Sequence, residues 1–196
     1  DAKVTSAIGS VNSAKSAALS YYQRYDRFPE DGTLTSIINY RENPNGSVTA
    51  DGAGADFGDI LVLQEQLLET ERTPIGESDG TKEWAVGCSK IGTDFTASLD
   101  GGGSAVTYGT PFVFKSAGRA SRIVYFMMPN ITEQEAAALA TKVNGPFPNE
   151  VQGSIAVIGE SLAEGGTPLD NIDGANAWFV DNGDTTYDAY LYVAHQ

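Results

Sequence analysis

Between residues 3 and 25, apolar side chains recur at alternating spacings of three and four: Val4, Ala7, Val11, Ala14, Ala18, Tyr21 and Tyr25. That period places them on one stripe of a helix. The stripe is thin at first, Val and Ala with Ser and Lys between them. It turns bulky at Leu19, Tyr21, Tyr22 and Tyr25. The first half can bury little by itself, whereas the second half can pack on a core. Phe28-Pro29 ends the helix, since Pro restricts the residue before it and cannot continue the backbone ladder.

A short segment at Leu34–Tyr40 reads as helical. The polar, glycine-rich stretch 41–56 is a long loop for a compact domain, which marks function or mobility. Residues 56–72 predict a second helix, with Asp56 or Asp59 as its cap and Ile60, Leu63, Leu67 and Leu68 as its face. The chain then turns β-rich: 84–89, 94–99, 106–115 and 122–128 read as strands. Glycine-bearing turns at 100–103 and 116–118 predict an antiparallel meander. Thr132 followed three residues later by Glu135 is a capping box, opening a helix over 133–143 that Asn144-Gly145 closes. Strands follow at 154–160, 176–180 and 189–195. The sum is one α+β domain, an N-terminal helix packed on an antiparallel β-sheet with two smaller helices.

Charge narrows the partners. The 196 residues carry 26 acids against 12 bases, a net charge of −14, with no basic stripe. Nucleic acid and anionic membrane surfaces both require Lys/Arg clusters, so the charge argues against either as a partner. No run of about 18 apolar residues is present to span a bilayer. The lone Cys88 sits in a strand-like run and reads as a small buried hydrophobe.

Candidate chemistry is sparse. The one histidine, His195, is next to last, and no Ser or Cys stands in a nucleophile motif. A Cys/His metal site cannot be assembled from one of each. The sequence is therefore read as that of a non-enzyme, with a carboxylate-pair hydrolase as a minor alternative. The stretch 168–190 is rich in Asp, Asn and Gly. Asp170, Asp173, Asp181, Asp184 and Asp188 could supply oxygens to Ca²⁺, and they are equally the residues that form turns. Trp178, Tyr187, Tyr190 and Tyr192 alternate in strand fashion. Exposed, such a row could stack on sugars; turned inward, it is core.

The order of parts, and the stretch ALSYYQRYDRFPEDG with Ala18, Leu19, Tyr21, Tyr22, Phe28 and Pro29, resembles type IV pilin-like proteins, and most of all the pseudopilins of type II secretion. The segments GDILVLQEQLL and RIVYFMMPNITEQEAAALATKVNG also look like parts of pilin-like proteins. Asp26 stands where the family often has Gly, and a single cysteine departs from the C-terminal disulfide of many type IV pilins. The resemblance implies that residues 1–28 are the lower half of a spine helix and 29–196 the globular head. An apolar upper half would precede Asp1 and anchor the precursor in the inner membrane. It implies a structural subunit of a type IV pilus-like or secretion pseudopilus filament, at the bacterial cell surface or periplasm. Its partners would be other pilin or pseudopilin subunits, the inner-membrane assembly machinery, and a host or substrate surface. Val4, Ala7, Val11 and Ala14 would contact neighbouring helices and so be exposed in the isolated head. Tyr21, Tyr22, Tyr25, Phe28 and Pro29 would anchor helix to head. Because major pseudopilins bind calcium in a C-terminal loop, the resemblance lends weight to Ca²⁺ at 168–188. A second reading is a secreted module that binds carbohydrate or a host receptor.

Overall fold

A computed structural model describes residues 2–28, 57–79, 82–90, 95–97, 106–108, 122–144 and 176–196. Pro29, Leu34–Tyr40, the strand expected at 154–160, Asp170 and Asp173 lie outside these residues. The helix expected first is there: α1 spans Ala2–Tyr25, about 36 Å at 1.5 Å per residue. Strand β1 is Ala85–Lys90, β2 Phe95–Ala97, β3 Val106–Tyr108, β4 Arg122–Thr132, β5 Ala177–Asp181 and β6 Thr186–His195. Four of these form one antiparallel sheet in the order β1-β4-β6-β5, and β2 pairs with β3 in a separate two-stranded ladder. The architecture is α+β, as the periodicities predict.

The expected meander is not what the chain makes. After β1 it leaves the sheet for the β2–β3 hairpin and returns as β4 beside β1. The two central strands, β4 and β6, are buried along nearly their whole length rather than on alternate residues. Both faces of the sheet are therefore covered, and the near-continuous apolar run RIVYFMM is the sequence counterpart. Tyr125 lies directly over Gly87 of the neighbouring strand. A Cβ at position 87 would stand 2.2 Å from its ring, so only glycine leaves room for that tyrosine.

β4 runs on through Pro129 to Thr132, past the end expected for it. Proline has no N–H for a ladder, and it is accommodated because the register shifts between Met128 and Ile131. Asn130 there takes a positive φ of 48°, which Asn tolerates better than most residues. The freed Pro129 carbonyl accepts from Glu77 N–H at 2.9 Å. That contact brings the chain so close that a Cβ on Gly76, whose φ is +83°, would meet the carbonyl oxygen at 2.5 Å.

The second helix is much shorter than the sequence suggests. It begins as α2, Phe57–Asp59, and continues only as a π-helix, Ile60–Gln64. Glu65 N–H bonds to Ile60 O and Leu67 N–H to Leu61 O, and Gln66 turns out at φ 52°. The core takes the adjacent pair Ile60 and Leu61 together with Leu68, while Leu63 is left 40% exposed. The chain widens there into bonds that reach back five and six residues, and the straight helix ends with that turn. Asp59 is not a cap: it is helical itself and makes no capping bond with its side chain.

The capping box forms as its residues require. Glu135 N–H donates to Thr132 Oγ1 at 3.2 Å, and Thr132 N–H donates to Glu135 Oε2 at 3.0 Å. Helix α3, Glu133–Asn144, follows and packs against β4, β5, β6 and α1. Thr132→Ala is expected to lower unfolding free energy by about 1 kcal/mol, read from urea titrations. An unchanged midpoint would show that packing alone holds the helix start.

Candidate functional site

The long helix α1 divides into two unlike faces. Val4, Ala7, Val11, Ala14, Ala17, Ala18 and Tyr21 are buried, against β6, β4 and α3. This corrects the expectation that Val4, Ala7, Val11 and Ala14 are exposed for contact with other helices: they belong to the protein's own core. The physical reason lies in their size. Val4 is only 3% exposed, and Ala7, Ala14 and Ala18 have no exposed surface; such short side chains let the helix backbone approach its neighbours closely.

The opposite face carries Ala2, Ser6, Gly9, Asn12, Ser13 and Ser16, all exposed. It bears no charge along its centre, with Lys3 and Lys15 to either side. Its hydroxyls are turned back onto the helix: Ser13 donates to Gly9 O at 3.1 Å and Ser16 to Asn12 O at 3.2 Å. A Cβ added at Gly9 would have nothing within 4 Å. The surface is small and uncharged, and the hydroxyls of Ser13 and Ser16 are already satisfied by the helix's own carbonyls.

The end of α1 is fixed to the rest of the domain by aromatic packing. Phe28 is fully buried. Its ring lies 5.2 Å from that of Tyr22 and 5.9 Å from that of Phe57, and Tyr21 meets Phe57 edge-on at 5.1 Å. Tyr25 is different. It is 39% exposed, stacks near Tyr21 at 4.6 Å, and donates its hydroxyl to Glu65 Oε1 at 2.7 Å. Arg24 reaches the other oxygen of the same carboxylate at 3.0 Å. The backbone beyond the helix is held by the C-terminal end of the chain and the start of β4. Phe28 N–H donates to Gln196 Oε1 at 2.9 Å, and Arg122 donates to Phe28 O at 2.5 Å. Four of the five anchor residues named from the sequence are thus brought together, Pro29 being the one outside the described residues. Phe57, Glu65, Arg122 and Gln196 were missed. Phe57, an aromatic at the start of the second amphipathic segment, was the only one with a local signal.

The acidic C-terminal stretch comes out differently from a cation loop. Asp188 is buried, and its carboxylate is held by three donors. It accepts from Lys82 Nζ at 2.7 Å, Asn130 N–H at 3.0 Å and Asn182 Nδ2 at 3.0 Å. A buried carboxylate that already serves three protein donors acts as an internal anchor, in place of the calcium ligand expected at Asp188. Asp184 stays exposed on the turn, where the Thr186 hydroxyl and then the Thr186 N–H hold its carboxyl below the usual carboxylate range. Asp181 closes β5 opposite Tyr187. Among the described residues no group of three or more His, Cys, Asp or Glu side chains is placed to hold a metal ion.

Tyr187 and Tyr190 are buried and Tyr192 half-buried, so these tyrosines do not offer a row for stacking sugars. Burial raises the Tyr192 hydroxyl above its ordinary range, and that hydroxyl pairs with His195 Nδ1. Cys88 is buried, as its strand context predicts. Beside α2 a groove of about 250 Å³ is lined by Leu63, Trp84, Arg72 and several carboxylates. The Arg72 guanidinium sits 5.7 Å over the Trp84 ring. Glu71 and Glu83 are engaged as acceptors, from Val86 N–H and the Ser78 hydroxyl. No described helix is long and apolar enough to cross a membrane. In comparisons with known proteins, the chain matches no protein-family model, no curated protein and no solved structure.

Proposed function

We propose that this protein is a structural subunit of a type IV pilus-like or secretion pseudopilus filament, acting by assembly rather than catalysis. The observation that carries the reading is the two-faced α1. One face is docked on the sheet, and the other presents small uncharged residues over several turns. Helices that pack side by side in a bundle need such a surface, because small residues allow close backbone approach. The subunit contacts therefore run through Ala2, Ser6, Gly9, Ser13 and Ser16, with Leu19 exposed further along, and not through the buried stripe. In the intact protein α1 continues upstream as about 20 apolar residues anchored in the inner membrane. Partners are other pilin or pseudopilin subunits and the inner-membrane assembly machinery. The alternative reading, a secreted carbohydrate- or receptor-binding module, is disfavoured by the burial of Tyr187 and Tyr190.

Gly9→Trp separates assembly from folding. With open space at the site and a glycine removed from a helix interior, the isolated domain is expected to be as stable as before, or more so by a few tenths of a kcal/mol. The same change in the full-length protein is expected to abolish filaments seen by electron microscopy. Filaments of unchanged yield with Trp at position 9 would overturn the proposed contact face. Preparations in which this chain never enters a filament would overturn the function.

A further inference from the structure

The hairpin that joins β5 to β6 meets the segment before β1 in an arrangement whose chemistry goes beyond a hydrogen-bond network. Lys82 Nζ stands 2.7 Å from Asn182 Oδ1 and 2.7 Å from Asp188 Oδ2. Asp188 Oδ1 in turn accepts from Asn182 Nδ2 at 3.0 Å. One carboxylate thus bridges an amine and the nitrogen of a carboxamide, while the amine touches the carbonyl of that same carboxamide. The Asp188 side chain is 3% exposed and that of Lys82 19%, so water competes little for these groups. The amide is held from further sides, Nδ2 also donating to Asn130 Oδ1 and Thr186 Oγ1 at 3.1 Å each.

We propose that Lys82 and Asn182 are joined by an intramolecular isopeptide bond, with Asp188 as the proton carrier. The Asp188 carboxylate takes a proton from the Lys82 ammonium across their 2.7 Å contact. The freed amine pair attacks Asn182 Cγ, which lies one C=O bond beyond the oxygen Nζ already touches. The carbonyl π pair moves onto Oδ1 and the Nζ–Cγ bond forms. Nζ gives up two protons in all, one before attack and one after, and both pass through Asp188 to Nδ2. The Cγ–Nδ2 bond breaks, the carbonyl re-forms, and the nitrogen leaves as ammonium. Asp188 ends as the carboxylate it began. Nothing is oxidised or reduced, and no co-reactant is consumed. The fold's contribution is proximity: residues 100 apart in sequence are held at contact distance, which removes the entropy barrier to amide exchange.

This inference does not depend on the filament reading. Its test is the intact mass of the denatured 196-residue chain, followed by proteolytic mapping. The expected mass is that of the sequence less one ammonia, with a branched peptide that joins the Lys82 fragment to the Asn182 fragment. Lys82→Arg and Asp188→Ala are each expected to restore the full mass and give only linear fragments. Full mass and linear fragments in the unmodified chain would overturn the proposal without need of any variant. So would an ammonia loss that persists in Lys82→Arg, because that marks a succinimide formed within the Asn182-Gly183 turn.

Discussion

In a chain whose Lys82 and Asn182 side chains are still unlinked, replacing Asp188 by alanine is expected to destabilise the fold by about 3–5 kcal/mol, the range for breaking a buried ion pair from one side. Three donors lose their acceptor at once: Lys82 Nζ, the Asn130 N–H and Asn182 Nδ2. The Asn130 N–H matters most, because it sits at the break in the ladder beside Pro129, where no neighbouring strand can take it. Lys82→Met is expected to lose less, since Asp188 keeps its two other donors. The pair Lys82→Met with Asp188→Leu is expected to lie above the sum of the single changes, since it leaves neither charge buried alone. Urea denaturation at neutral pH measures all three. A loss below about 1 kcal/mol for Asp188→Ala would mean that the carboxylate does not hold Lys82 and Asn130 in place. Measured against a chain that carries the proposed cross-link, the loss is expected to exceed the ion-pair range, because Asp188→Ala also prevents the link. A closed loop of 100 residues is worth about 4–5 kcal/mol of unfolded-chain entropy.

Phe28→Ala is expected to cost about 3–5 kcal/mol. Phe28 has no exposed surface, and its ring is the one that Tyr22 and Phe57 share. Its backbone is held on both sides, by Gln196 and Arg122, so the chain cannot shift to close the cavity. Tyr25→Phe serves as the contrast. It removes one hydrogen bond to Glu65 at a half-open site, worth about 0.5–1.5 kcal/mol. Denaturant midpoints at constant slope separate the two. If Phe28→Ala lost no more than Tyr25→Phe, the end of α1 would not be fixed to the head through that residue, and the docking described above would be wrong. In the proposed filament, Phe28→Ala would also loosen head from spine, whereas Gly9→Trp leaves the head intact and blocks only assembly.

Much of this fold is legible locally. The 3.6-residue stripe of α1, the capping box at Thr132 and Glu135, and the β-branched and aromatic runs of β4 and β6 each announce themselves within a dozen residues. Backbone geometry alone imposes those periods. Local pattern also located the aromatic anchor, because bulky residues gather at one end of the helix. What it could not determine was the use of the stripe. A thin Val/Ala face serves equally for a neighbouring subunit or for the protein's own sheet, and its burial against β4 and β6 selects the second. The second helix is another such case: a repeating pattern predicts a straight helix, and the chain instead widens into a π-turn at Ile60–Gln64 and leaves it at Gln66.

The polar cluster shows the same division most clearly. From sequence, Asp188 is one acid in an acidic stretch and Lys82 an ordinary surface base. Only the pairing of β4 with β6 and the ladder break at Pro129-Asn130 bring them together across 106 residues. Short-range spacing determined which helices and strands this chain makes. Long-range contact decided which face is hidden, where a helix stops and which acid meets which base. The physical reason is that burial and charge pairing depend on distance in space, and the chain's periodicities record only distance along itself.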